Sequence, residues 1–149
     1  MGSAVATIDR SPTFFCEVVY VTDKQLHAVR AEQPEDLTRL FVQFANDGDA
    51  EALAGLYEAD AVVGFPPGQQ TVGRAAIRAL YDQMLASKPK FKQETPLPTL
   101  RVGDLALTGT QSSDGTGGRV QVVRRQADGR WLRIIDRPEN PGVAGQARP

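Results

Sequence analysis

The sequence predicts an α+β fold. Three segments with apolar residues at helical spacing occupy residues 34–88, and from there to residue 136 the chain reads as strand and turn. Two Asp-Gly pairs, Asp114-Gly115 and Asp128-Gly129, mark hairpins between the later strands. Helices first and an antiparallel meander after them is the order of an α+β domain, not the strand–helix alternation of a parallel sheet.

Pro34 opens the first helix, with Glu35 and Asp36 in the turn where carboxylates suit the positive helix end. Leu37, Leu40, Phe41, Phe44 and Ala45 form its apolar face, and Asn46-Asp47-Gly48 stops it. Asp49 is a suitable N-cap for a second short helix, whose inner face is Leu53, Leu56 and Tyr57. Ala61 to Phe65 reads as a strand ended by Pro66-Pro67-Gly68. Gly73 begins the third helix, with Ile77, Leu80, Tyr81, Met84 and Leu85 on one face, and Lys88-Pro89 ends it. Strands follow at Leu97 to Val102, Leu105 to Gln111, Arg119 to Gln126 and Trp131 to Asp136.

Outside this block, residues 1–33 form an N-terminal extension in which Phe14 to Val21 is β-prone. It reads equally as an added edge strand, an arm docking on a partner chain, or a leader. The domain proper is expected over 34–138, and 139–149, rich in Pro and Gly, as a loose tail.

A chain of 149 residues with 17 basic and 18 acidic side chains carries no basic excess, which argues against a nucleic-acid binder. No apolar run approaches the roughly 20 residues of a membrane span, and no secretory signal is evident, so no membrane partner and a cytoplasmic location are expected. One cysteine, Cys16, and one histidine, His27, exclude an intrachain disulfide and argue against a zinc site, so no metal and no cofactor are expected. Gly115-Thr116-Gly117-Gly118 lacks the context of a phosphate loop, and Asn46-Asp47-Gly48-Asp49 lacks the oxygen positions of a calcium loop. Arg124, Arg125, Arg130 and Arg133 read as a solvated sheet face, and Asp60 as a turn residue.

Asp136 is the carboxylate to watch. By strict alternation it shares a face with Leu132 and Ile134, at the apolar end of the last strand. A poorly solvated carboxylate there suits a general base or acid. The competing reading is a strand-end Asp paired with a nearby Arg such as Arg137, or with backbone amides; the sequence leaves both open.

The order of these elements, with Phe44-Ala45-Asn46-Asp47-Gly48-Asp49-Ala50-Glu51-Ala52-Leu53, Leu56-Tyr57, Asp60-Ala61-Val62-Val63 and Gly73-Arg74-Ala75-Ala76-Ile77-Arg78, resembles the nuclear transport factor 2-like superfamily. That superfamily includes ketosteroid isomerases, SnoaL-like polyketide cyclases and limonene epoxide hydrolases. The resemblance implies a cone: a curved mixed or antiparallel sheet wrapped around the three helices, with an apolar pocket inside and a homodimer through the open sheet face. The outward face is expected to carry Val120, Val122 and Trp131 among arginines. The steroid-isomerase base position holds Phe65, the helix tyrosine position Phe41, and the oxyanion acid falls near Gln121, so that mechanism is disfavoured. Two supporting tyrosines match at Tyr57 and Tyr81. The epoxide-hydrolase Asp–Arg–Asp set finds a place for Asp136 but no partners, and the single pocket carboxylate of a SnoaL-like cyclase is the looser demand that Asp136 meets.

The expectation is therefore a small-molecule pocket protein, a proton-transfer isomerase or cyclase for a neutral apolar or polycyclic substrate. Asp136 and Tyr57 would be catalytic. Phe41, Phe44, Val63, Phe65, Leu80, Tyr81, Met84, Gln121, Leu132 and Ile134 would bind the substrate. The alternative is a non-catalytic binding or dimerisation module whose cone is filled by side chains.

Overall fold

In a computed structural model of the chain, residues 29–113 and 117–141 are described. The Phe14–Val21 strand candidate, Cys16, His27, the Asp114-Gly115 turn and residues 142–149 lie outside them.

Helix α1 (Asp36–Asp47) buries the five residues of its apolar stripe, Leu37, Leu40, Phe41, Phe44 and Ala45. It ends at Gly48, whose φ of 72° is the left-handed conformation that lets the next amides reach back to the Ala45 and Phe44 carbonyls. Helix α2 (Ala50–Ala54) is capped by Asp49, whose side chain accepts the Ala52 amide at 2.9 Å. It is shorter than the apolar spacing suggests. Leu56 and Tyr57 leave it, and Tyr57 opens strand β1 (Tyr57–Val63). The Tyr57 carbonyl is held by the Arg74 guanidinium at 2.7 and 2.9 Å, and the Leu56 carbonyl accepts the Arg133 amide, so tertiary bonds override a weak local helical preference.

After β2 (Thr71–Val72), helix α3 (Arg74–Leu85) buries Ile77, Tyr81 and Leu85 and leaves Leu80 and Met84 half-buried. The remaining strands are β3 (Thr95–Pro96), β4 (Leu100–Val102), β5 (Leu105–Gln111), β6 (Gly117–Arg125) and β7 (Trp131–Pro141). Pro98 interrupts the expected 97–102 strand, since it cannot donate to a ladder.

The seven strands form one open sheet in the order β2-β1-β7-β6-β5-β3, with β4 also pairing β5. It is mixed: β1 runs parallel to β7 and all other pairs are antiparallel. The three helices supply one side of a core that the sheet completes through Tyr57, Ala61, Val63, Ala106, Val123 and Trp131.

One irregularity places the site. Val123 faces Arg133 and Val122 faces Ile135, so Ile134 is an extra residue in β7. This bulge reverses the alternation beyond it. Asp136 therefore shares the helix-facing side with Arg133 and Trp131, not with Leu132 and Ile134 as strict alternation required. Trp131 is correspondingly in the core at 4% exposure rather than on the outward face. Val122 stands on the outward face as expected, with Leu105, Leu107 and Ile135, beside Leu100 and Val102 on β4.

Gly118 pairs with Gln111 across β5 and β6, and a Cβ on it would run into the Thr110 carbonyl oxygen. Gly118→Ala should destabilise the fold by about 2 kcal/mol or more, since backbone cannot yield as a side chain does. Urea unfolding of the variant against the parent measures it.

Candidate functional site

Five elements converge on one buried polar cluster. β1 brings Tyr57 opposite Arg133 of β7, α3 brings Tyr81, β7 brings Asp136, β6 brings Gln121 opposite Asp136, and β5 brings Thr108 opposite Gln121. Tyr57 is fully buried, Asp136 is 2% exposed, and Gln121 and Arg133 are each 3% exposed. Buried polar groups on this scale must bond to one another.

They do. The Tyr57 hydroxyl donates to Asp136 Oδ2 at 2.6 Å and accepts from Arg133 Nη1 at 3.0 Å. With its one proton spent on Asp136, it must accept from the Tyr81 hydroxyl, 2.7 Å away. Arg133 Nη1 also donates to Asp136 Oδ2 at 3.1 Å, and Gln121 Nε2 donates to Oδ1 at 3.1 Å. Gln121 Oε1 accepts the Thr108 hydroxyl at 3.1 Å, which fixes the amide's orientation. Arg133 Nη2 reaches the Leu37 carbonyl at 3.4 Å, its plane lies over the Phe41 and Tyr57 rings, and its Nε is buried without a hydrogen-bond partner.

Electrostatics follow from burial. The Tyr57 hydroxyl is pushed well above its ordinary value by burial and then by the Asp136 charge. Tyr81 is pushed up to about 12 by the same two causes, with Arg133 opposing. Burial works against the Arg133 charge, yet Tyr57 and Asp136 together hold that guanidinium above its ordinary value. Both tyrosines are therefore neutral donors and Arg133 a fixed cation at neutral pH.

Two connected spaces adjoin the cluster. A cavity of about 280 Å³ is walled by Phe41, Val63, Phe65, Leu80, Tyr81, Met84 and Phe91, with Arg119, Pro138 and Glu139 toward its mouth. A recess of about 20 Å³, room for one water-sized group, is lined by Asp136, Gln121, Arg133, Glu94 and Thr110 and shares Phe41, Phe91, Arg119 and Pro138 with the cavity. Phe91 is pinned to α1 by paired bonds with the Asn46 side chain at 2.8 and 3.0 Å.

Of the residues named from sequence, Phe41, Val63, Phe65, Leu80, Tyr81 and Met84 meet around the cavity, and Asp136 and Gln121 meet at the recess. Tyr57, expected to be catalytic, lines neither space; it is bonded to Tyr81 of the cavity wall and to Asp136 of the recess. Phe44, Leu132 and Ile134 line neither space: Phe44 is core, Ile134 is the bulge, and Leu132 lies opposite Arg124 on the other side of the strand pair. Asp136's partner is Arg133, while Arg137 is exposed. Sequence reasoning missed Arg133, because the bulge is invisible in composition; it missed Thr110 and Arg119, whose signal was the alternation of Thr108 with Thr110 and of Arg119 with Gln121, and Glu94, which lies outside any strand and had no such signal. Among the described residues no cluster of His, Cys, Asp and Glu could hold a metal ion.

The SnoaL-like domain family model matches residues 38–134. No curated protein matches the chain in sequence. Among solved structures, an NTF2-like protein with a cystatin-like fold from Novosphingobium aromaticivorans is 20% identical, with a TM-score of 0.58 over 94% of this chain and 95% of that one. A ketosteroid isomerase-like protein from Erwinia carotovora atroseptica is 16% identical, with a TM-score of 0.56 over 69% and 89%. A Mycobacterium tuberculosis protein of unknown function is 21% identical, with a TM-score of 0.58 over 83% and 77%. At these identities the likeness is one of fold, and it agrees with the three helices and open mixed sheet described above.

The tyrosine shifts give a signed prediction. The fold holds both phenolic protons more tightly than the unfolded chain does. Both contributions are full below pH 10; that of Tyr81 is lost as pH rises from 10 through about 12, and that of Tyr57 as pH rises through its own raised value. Alkaline denaturation should show stability falling over that window, with tyrosinate absorbance of Tyr57 and Tyr81 appearing together with unfolding. Tyr81→Phe should weaken the dependence.

Proposed function

The chain belongs to the SnoaL-like domain family within the NTF2-like superfamily, and we propose that it is a small-molecule pocket protein that moves a proton on a cyclic, largely apolar substrate. The observation that carries this reading is the placement of Asp136 at the recess, where Oδ1 has one donor, Gln121, and adjoins a phenyl-walled cavity. An enolisable carbon entering the recess would lose its proton to Oδ1, leaving an enolate, and the same carboxylic acid would return the proton to another carbon. Returned to another carbon, the proton completes an isomerisation; where the enolate carbon instead attacks a carbonyl carbon of the same molecule, a ring closes and Asp136 gives the proton to the resulting alkoxide oxygen, and neither course needs an oxidant. Tyr57 and Arg133 would be positioning residues, holding Asp136 in one rotamer. We take the protein to act in the cytoplasm; among the described residues no helix is long and apolar enough to cross a membrane.

The specific rival is a non-catalytic binding module. It is favoured by the saturation of Asp136 Oδ2, which already accepts from both Tyr57 and Arg133 and so looks built for stability. Exchange of the α-protons of 2-tetralone in heavy water, followed by proton NMR, separates the two. Catalysed exchange that falls to the buffer rate in Asp136→Asn, a drop of about a hundredfold or more, supports the enzyme. Exchange unchanged by the substitution, or absent from the parent, favours the binding module. In either case Asp136→Asn should lower stability by about 3 kcal/mol, because Arg133 is left buried and unpaired.

We also propose a homodimer through the outward sheet face. Leu100, Val102, Leu107 and Ile135 are 64, 74, 41 and 52% exposed there, an apolar surface that favours cover. Sedimentation at micromolar concentration should show twice the chain mass, and Val102→Glu with Leu107→Glu should halve it.

A further inference from the structure

We infer that the ligand of this cavity carries a carboxylate, bound by the free edge of Arg119, and is therefore an aromatic or alicyclic acid rather than a neutral molecule. The inference rests on reading the 280 Å³ cavity as the ligand site.

Arg119 stands two residues before Gln121 on β6 and faces the same way, opposite Thr110 as Gln121 is opposite Thr108. It lines the cavity, the recess and the open bowl outside them that Gly64, Pro67, Gly117 and Arg137 also border, so it stands where the three spaces meet. Among the described residues lining the cavity it is the one cation. Its Nε donates to both oxygens of Glu94 at 3.2 Å, and Glu94 is steadied in turn by the Thr110 hydroxyl. The arm is thus held by one edge. Its two terminal nitrogens have no hydrogen-bond partner among the described residues, and the side chain is 32% exposed. A guanidinium fixed at Nε and open at its far edge presents a planar, pre-oriented pair of donors, the geometry that suits a carboxylate.

The neighbouring groups leave this role to Arg119: Lys92 at the recess and Arg137 at the bowl are exposed and neither lines the cavity. Arg133 is spent on Asp136, Tyr57 and the Leu37 carbonyl. The Tyr81 proton goes to Tyr57. Among the acids that could repel a carboxylate, Glu94 is engaged by Arg119 and Thr110, Asp136 by three donors, and Glu139 is exposed at the mouth. A flat acid would set its carboxylate on Arg119 and its ring among Phe41, Phe65, Met84 and Phe91. That choice fixes which carbon faces the recess, so Arg119 is a specificity-determining residue.

The test compares 2-naphthoate with 2-acetonaphthone, a neutral ketone of the same outline, by isothermal titration calorimetry at neutral pH. The parent should bind the acid roughly tenfold or more tightly, the ordinary strength of a charge-assisted pair. Arg119→Gln should erase that preference while leaving ketone binding in place, and Arg119→Lys should keep part of it. Because the preference is a ratio within one variant, loss of folded material cancels. Equal affinities in the parent, or a preference that survives Arg119→Gln, overturn the inference while the cavity reading stands. Binding of neither probe overturns the cavity reading and this inference with it.

Discussion

The buried pair of Arg133 and Asp136 is the constraint around which the rest is arranged. Two opposite charges, each almost wholly removed from water, do not repay their desolvation by mutual attraction alone. They need further hydrogen bonds at good geometry, and here Tyr57, Gln121 and the Leu37 carbonyl supply them. Each supplier needs its own place, which Tyr81, Thr108 and the Arg74 grip on the Tyr57 backbone provide. Such a network is unforgiving when partly satisfied, so it specifies one packing of helices on sheet.

The topology is what permits the pair. The parallel contact of β1 with β7 sets Tyr57 beside Arg133 and Val63 beside Asp136, with five residues of β1 spanning what two residues of β7 span. Without the Ile134 bulge, Arg133 and Asp136 would stand on opposite faces of β7, one of them in solvent. The bulge thus turns a three-residue separation, ordinarily useless on a strand, into a same-face ion pair.

This explains what was legible in the sequence. The helices were, because Leu37, Leu40, Phe41, Phe44 and Ala45 repeat at 3.6 and Gly48 needs a left-handed turn. The fold was legible from element order, and the cavity's aromatic walls from the helical faces that carry them. Legibility ended at a single inserted residue. Period-two reasoning carried Asp136 to the Leu132 face and Arg133 to solvent, and both errors have that one cause. The open arm of Arg119 was hidden for a different reason: its anchor Glu94 is 25 positions away, in a segment without periodicity.

The polar and apolar halves of the site are also segregated. Phe41 and Phe65 occupy the two places where the superfamily resemblance led one to look for a hydroxyl and a carboxylate, and both are walls of the cavity. The third place, Gln121, serves Asp136 instead. Polar atoms therefore gather on the β5–β6–β7 floor, while α1 and α3 contribute phenyl and aliphatic surface. A molecule entering such a space loses water on every side but can regain hydrogen bonds on one only. Its orientation follows from that asymmetry before any catalytic group acts, since a polar edge turned toward the phenyl walls would be left unpaired. Chemistry supported by this arrangement is confined to the atoms that can lie over the floor, and the apolar walls decide how large the rest of the molecule is.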